Sequence, residues 1–424
     1  MAIFFTYHFL QNEELDTDNK KITIYITANT MKYKFLILIA IIFYPYYSIA
    51  QEDSIETHIK WHKNNLFLTA SYINGVVAPT NIFVKGNNNN SIIIDDFEAL
   101  NIKFGTQTIG ESLQENVLNY PQWGIGLKVL NFHNVDEIGI PLALYGFIDV
   151  ALLRRNRFTI NADLGFGVSF NWRSFNPITN KYNVALGLGQ AFMSDAGITL
   201  NYELTSHIDL VVGYNFSHYS NGAIKLPNFG INSYSPKVGV KYNFYYRPEF
   251  IKKKIPKIKP HGEWVLSTFA GMKNIIFDSV NIDIIEKYEG VFFPAFGMSA
   301  LYNIQLSHFS KIGIGTTFNY NGSIDAQVAV ENNELEDVDG PFADKFQLSI
   351  YPSYELSIDR ISVMLQPAFY IYRKKFPNMS PIFHQRISIN YQITDQLFAG
   401  ITLRDFKMHA DFIEWTLGYR INSK

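Results

Sequence analysis

Apolar and polar residues alternate with a period of two along most of this chain. Over 158–171 the even positions read Phe158, Ile160, Ala162, Leu164, Phe166, Val168 and Phe170. The odd positions read Thr159, Asn161, Asp163, Gly165, Gly167, Ser169 and Asn171. The pattern returns over 194–204 and again near the end, where Ile413, Trp415, Leu417, Tyr419 and Ile421 alternate with Glu414, Thr416, Gly418, Arg420 and Asn422. Successive side chains of a strand point to opposite faces, so each run predicts a strand with one apolar and one polar face. The runs are about 10–14 residues long, beyond the usual five or six and close to the roughly 9–11 that a tilted membrane strand requires. Beyond residue 50 no segment holds 18 consecutive apolar residues, so helical membrane spans are not expected.

The alternation predicts about eight strands near 65–75, 98–106, 122–133, 141–154, 156–171, 192–205, 207–220 and 232–246. A second group of six to eight lies near 262–273, 291–306, 309–321, 344–357, 360–373, 383–393, 396–405 and 410–422. Between them, Arg247–Gly262 carries Pro248, Pro256 and Pro260 among several lysines, cannot pair as a central strand and reads as a linker. Gly86–Asn90 and Glu331–Gly340 read as loop tips. A secreted sandwich would also alternate. Strand length and aromatic content favour an all-β fold: a transmembrane antiparallel β-barrel of about 14–16 strands. One continuous ring is the favoured closure, and two eight-stranded units are the alternative.

Composition narrows the chemistry. The 424 residues include no cysteine, which removes disulfides, thiolate nucleophiles and Cys-ligated zinc. A net charge of −2 gives no basic field for nucleic acid. Charged residues make up 17% and aromatics 16%, the balance of a chain that shows apolar surface to something other than water. Met31-Lys32-Tyr33-Lys34 opens a second N-terminus. The apolar run Phe35–Tyr44 follows, then Ser48-Ile49-Ala50, which reads as a signal peptide cleaved after Ala50. The expected organisation is therefore a non-native extension over 1–30, a signal peptide over 31–50, a first barrel half over 51–246, a linker over 247–262 and a second half over 263–424. Export to a bacterial outer membrane follows from the signal and the strands together.

One strand end carries a candidate site. In 207–220 the even positions are Ile208, Leu210, Val212, Tyr214, Phe216, His218 and Ser220, so His218 and Ser220 extend the more apolar face. Asn232 falls on the apolar face of the next strand, at the same end of the hairpin. A base and a hydroxyl two residues apart on one strand face form a possible nucleophile pair. On an outward face of a barrel they meet a lipid, and polar groups there are functional candidates. A polar girdle against headgroups is the plainer alternative.

The longer segment, His218-Tyr-Ser220-Asn221-Gly222-Ala-Ile-Lys-Leu-Pro227-Asn228-Phe-Gly230-Ile-Asn232, resembles the PagL-type lipid A 3-O-deacylases. The resemblance covers roughly residues 60–246; larger relatives, the acyloxyacyl hydrolases, are closer in length. It implies an eight-stranded outer-membrane barrel with an outward Ser–His–Glu triad that removes the 3-hydroxyacyl chain ester-linked at position 3 of lipid A. Carried over, Ser220 is the nucleophile and His218 its general base. Asn221 and Asn228 match family asparagines that could supply oxyanion donors, and Gly222 and Gly230 let the backbone approach the ester. Lipid A, or lipopolysaccharide, is then the partner, with no cofactor and no metal.

Asn232 departs from the family, standing where the triad Glu belongs. An amide can orient the imidazole but offers no countercharge. Three readings follow: a slow Ser–His–Asn esterase, a site served by another acid, or a vestigial site on a lipid-binding barrel. Asp195 and Glu203 are expected to face the lumen. The competing class is a passive barrel such as a porin, transporter or scaffold. His409, Asp411 and Glu414 near the last strand fit no metal-site spacing, and parity puts His409 and Asp411 on the face of Trp415.

Overall fold

A computed structural model of the chain describes residues 58–275, 282–288, 290–336, 338–376, 381–406 and 409–422. The expected extension over 1–30 and signal peptide over 31–50 lie outside the described residues. Sixteen strands follow in chain order. The first eight are β1 (Leu66–Val77), β2 (Asp96–Gln107), β3 (Gln122–Asn131), β4 (Gly139–Arg155), β5 (Phe158–Trp172), β6 (Ala191–Glu203), β7 (Ile208–Ser220) and β8 (Ile231–Asn243). The second eight are β9 (Gly262–Lys273), β10 (Phe293–Gln305), β11 (Ser310–Asn321), β12 (Phe346–Ile358), β13 (Ile361–Tyr372), β14 (Phe383–Gln392), β15 (Leu397–Phe406) and β16 (His409–Asn422). Among the described residues three short α-helices interrupt the loops: α1 (Leu113–Val117), α2 (Ile282–Tyr288) and α3 (Ile324–Asn332).

The favoured single ring is corrected to the alternative. β1–β8 close as one antiparallel barrel and β9–β16 as a second. β8 returns to β1, from Phe67↔Asn243 to Val77↔Ser233, and so uses the edge that β9 would have needed. β9 in turn closes on β16. The proline-bearing segment 244–261 contributes no strand between them. It crosses the linker-side mouth of the first barrel instead: Phe250 stacks on Tyr120 at 4.4 Å and Ile251 N–H donates to Ile109 O at 2.7 Å.

Both barrels are inside out by the standards of a water-soluble protein. Outward positions such as Leu100, Ile125, Ile198, Val238, Ile314 and Leu417 are exposed, while Lys103, Lys128, Asp163, Arg386, Arg404 and Glu414 are buried in the lumens. Buried charge is tolerable only when paired and hydrogen-bonded. In the first lumen, Lys103 reaches Asp149 (3.0 Å) and Asp163 (2.7 Å), Lys237 pairs with Asp163, and Lys128 reaches Asp195 at 3.0 Å. In the second, Glu414 lies between Arg386 (2.7 Å) and Arg404 (2.6 Å), and Arg420 bridges Glu263 and Glu355. These bridges join strands across each ring.

The site end of the first barrel is capped by its own small core. Phe97, Phe132, Trp172 and Tyr219 form an aromatic chain with ring separations of 5.4, 5.6 and 5.2 Å. Ile94, Ile138, Ala185 and Leu186 from the loops pack into the same cluster.

Candidate active site

The ladder sets His218 directly opposite Asn232 across β7 and β8. Odd positions of β7 are buried, while Val212 and Tyr214 on the even face are exposed, so His218 sits half-buried on the outer face. Tyr219, between His218 and Ser220, points inward onto Trp172, and this packing fixes the strand end that carries both candidates. Imidazole Nδ1–H donates to Asn232 Oδ1 at 2.6 Å. The amide is oriented in turn by Asn232 Nδ2 donating to Thr80 Oγ1 at 3.2 Å. That chain fixes the tautomer and leaves Nε2 as the acceptor nitrogen. Among the described residues, no hydrogen bond or ion pair joins His218 to a carboxylate. Asp195 is buried on the opposite face, where it accepts from Lys128 and from Ser217 Oγ at 2.7 Å.

Ser220 is held by the loop that follows it. Asn228 Nδ2 donates to Ser220 Oγ at 2.8 Å, and Gly222 N–H donates to the same oxygen at 3.1 Å. The Asn228 amide cannot flip freely, because its Oδ1 accepts Asn221 N–H at 2.8 Å. Asn221 turns its own Nδ2 back to Lys225 O at 2.8 Å and so braces the loop. Gly222 and Gly230 adopt φ of +64° and +70°, the left-handed region that favours glycine. A Cβ on Gly230 would lie 3.0 Å from His218 Cε1, so its absence leaves room for the imidazole. The loop's far end is tied down by Phe229 N–H to Val184 O (3.1 Å), Gly230 N–H to Ala185 O (2.9 Å) and Asn81 Nδ2 to Gly230 O (2.9 Å).

The structure thus gathers His218, Asn232, Ser220, Asn228, Gly222 and Gly230 at one hairpin end. It links them as two hydrogen-bonded groups, His218–Asn232–Thr80 and Ser220–Asn228–Gly222, and among the described residues no hydrogen bond joins serine to histidine across the gap. Thr80 escaped the sequence reading because it lies in a loop 152 residues from Asn232 and belongs to no local pattern. The other trio does not converge. His409 meets Phe229 edge-on at 5.4 Å, Asp411 pairs with Lys273 at 2.6 Å, and Glu414 is in the second lumen. Asp411 leaves the face of Trp415 because the register shifts between Arg404 and Asp405: Arg404 faces Phe412 while Asp405 faces Ala410, leaving residue 411 as the bulge.

Residues 100–241 match the family model for lipid A 3-O-deacylase (PagL), and residues 262–423 match the acyloxyacyl hydrolase C-terminal domain. The break between the two matches falls in the segment between the barrels. Among solved structures the chain is similar to neisserial surface protein A, at 9% identity and a TM-score of 0.30, covering 42% of this chain and 97% of that one. It is also similar to the siderophore receptor PirA from Pseudomonas aeruginosa, at 9% identity and a TM-score of 0.20, covering 86% and 82%. No curated protein matches the chain. With its two barrels matched in succession over 100–423, the chain belongs to the PagL lipid A 3-O-deacylase family in its extended form, the one that carries the acyloxyacyl hydrolase C-terminal domain.

Proposed function

We propose that this protein is an outer-membrane esterase that hydrolyses an ester-linked 3-hydroxyacyl chain of lipid A by Ser–His catalysis. The observation that carries the reading is the His218 Nδ1–Asn232 Oδ1 bond of 2.6 Å on the outer face of β7–β8, two residues from Ser220. It supports the reading by holding the imidazole through one nitrogen on the outward face. The inverted barrels supply the setting: an apolar exterior for the bilayer around lumens crossed by ion pairs. With the N-terminus on the periplasmic side, the β7–β8 end faces the outer leaflet, where lipopolysaccharide resides.

In this reading the Ser220 hydroxyl rotates from Asn228 toward His218 Nε2. Its proton is weakly held, since its contact to Asn228 Oδ1 is 3.2 Å and that oxygen already accepts Asn221 N–H. Oγ attacks the ester carbonyl as Nε2 takes the proton. Asn228 Nδ2 and Gly222 N–H, which converge on Oγ, stand beside the developing oxyanion. The imidazolium then protonates the departing sugar oxygen, leaving an acyl-serine. Water, deprotonated by Nε2, releases the 3-hydroxy fatty acid and restores the hydroxyl. Asn232 orients the ring without neutralising it, so turnover is slow.

Lipid A extracted from cells expressing the wild-type or the Ser220→Ala protein tests the proposal. Mass spectra are expected to show loss of one 3-hydroxyacyl chain with wild type only. Identical spectra would sink it and leave the vestigial, lipid-binding reading that Asn232 favours.

A further inference from the structure

We infer that the second barrel is a positioning element of the first barrel's site, with Ile413 and Leu403 bracing the loop that binds Ser220. The inference rests on the hydrolase reading above for its reaction, and on packing for its geometry.

Ile413 is the anomaly that points to it. On β16 the outward residues Trp415, Leu417, Tyr419 and Ile421 are 43–51% exposed, whereas Ile413 on the same face is 8% exposed. Something covers it, and the covering residue is identifiable. A Cβ built on Gly222 would lie 2.5 Å from Ile413 Cδ1, 3.0 Å from Ile413 Cγ1 and 3.8 Å from Leu403 Cδ1. Leu403 and Ile413 are themselves cross-strand partners on β15 and β16, so the two apolar side chains form one outward step against the Gly222 backbone. The same loop touches the second barrel again at its other end, where Phe229 meets His409. The bulge at Asp411 sits beside this step and ends the regular alternation of the strand there.

Gly222 is where this contact bears on chemistry. Its N–H donates to Ser220 Oγ, and it is held at φ +64° between Asn221 and Ala223, both buried. The loop therefore rests on the Val184–Ala185 backbone on one side and on Ile413 and Leu403 on the other. With the second support removed, Gly222 can recede and the donor at Oγ moves with it. A displacement of a fraction of an ångström in a reacting group is costly to turnover, because proximity and alignment set the rate. This gives the second barrel a task in the reaction of the first.

The test has two arms. In the first, release of 3-hydroxy fatty acid from mixed lipid A–detergent micelles is followed for wild type, Ile413→Ala, Ile413→Val and Leu417→Ala. Ile413→Ala is expected to lower kcat about ten-fold with KM within about two-fold, Ile413→Val to recover most of the loss, and Leu417→Ala to change neither. In the second, Ser220→Cys places a single thiol in a chain without cysteine, and its maleimide labelling rate reports the site without needing hydrolysis. Adding Ile413→Ala is expected to change that rate about three-fold or more, and adding Leu417→Ala to leave it alone. A labelling rate indifferent to Ile413 overturns the positioning role, whatever the hydrolysis assay shows. A rate sensitive to Ile413 in a protein whose wild type releases no fatty acid supports the positioning role and removes the hydrolase reading.

Discussion

The two barrels share a plan, and the contrast that bears on the site lies at one hairpin. Each closes eight antiparallel strands, and each sets a carboxylate between two cations in its lumen: Lys103–Asp163–Lys237 in the first, Arg386–Glu414–Arg404 in the second. At the seventh–eighth hairpin they part. β7 and β8 are joined by the loop 221–230, whereas β15 ends at Phe406 and β16 begins at His409, and these two residues pair directly. Near that end the outward cross-strand pair is His218↔Asn232 in one barrel and Leu403↔Ile413 in the other. The long loop folds back over its strand and aims Asn228 and Gly222 at Ser220. The barrel supplies a rigid face, and the loop supplies the polar groups gathered on it.

The largest expected effect would break the comparison outright if it failed to appear. Ser220→Ala is expected to reduce fatty-acid release by at least about 10³-fold, as removal of a nucleophile does. Ser388→Ala deletes a hydroxyl that bonds Thr402 Oγ1 at 2.8 Å in the second lumen, and is expected to leave release unchanged. Equal losses in the two variants, each checked for folding by heat-modifiable gel migration, would mean that chemistry is not confined to the first barrel.

The shared ion triads offer the next test, on stability. Removing a carboxylate from between two buried cations leaves charge without compensation, a cost of about 3–5 kcal/mol. Asp163→Ala leaves Lys237 without its carboxylate while Lys103 keeps Asp149; Glu414→Ala removes the carboxylate that both Arg386 and Arg404 bridge. The second variant is expected to lose more. Urea unfolding followed by tryptophan emission separates the barrels, because Trp123 and Trp172 lie in the first and Trp264 and Trp415 in the second. A loss in Asp163→Ala equal to or larger than that in Glu414→Ala would show that Asp149 does not compensate Lys103.

The caps give a pair of smaller stability losses with unlike consequences for activity. Trp172→Ala opens the aromatic chain behind Tyr219 and is expected to cost about 3–5 kcal/mol together with fatty-acid release. Ile284→Ala removes a fully buried side chain from the cap of the second barrel and is expected to cost about 2–4 kcal/mol with release unchanged. Release that falls equally in both would show that the two caps act as one.

All sixteen strands were legible in the sequence, because each must keep one apolar and one polar face, and that demand writes period two into every run. Closure was not legible. Whether β8 pairs with β1 or with β9 is a choice between edges far apart in sequence, and alternation is the same either way. The bulge hid Asp411 for a related reason: one extra residue between Asp405 and Phe412 moves it off the expected face. In the site, parity correctly predicted that His218 and Asn232 share a face, and the structure pairs them. It could not predict that Ser220 turns to Asn228, or that Thr80 and Ile413 bear on the site, because those contacts are made by loops and by the other barrel.

The smallest expected effect bears on what the first barrel's hairpin lacks. In the serine-protease precedent, replacing the triad Asp by Asn costs about 10⁴ in turnover because the histidine is left in the wrong tautomer. That part of the loss does not apply here, since Asn232 Oδ1 accepts from Nδ1–H and Thr80 fixes the amide. What is missing is charge. A hydrogen bond to a charged partner contributes about 1.5–3 kcal/mol against about 0.5–1.5 for a neutral one. Restoring the carboxylate should therefore supply about 1.4 kcal/mol to the transition state, or roughly ten-fold in rate. Asn232→Glu adds one methylene on a half-buried outer face, and the Thr80 hydroxyl, now an acceptor, can turn to donate to the new oxygen. Initial rates of 3-hydroxy fatty acid release from lipid A decide the matter. A gain would show that the hairpin holds an intact but undercharged catalytic array. No gain, or a loss, would show that the Asn232 amide is itself what this loop is built around, with both its oxygen and its nitrogen required.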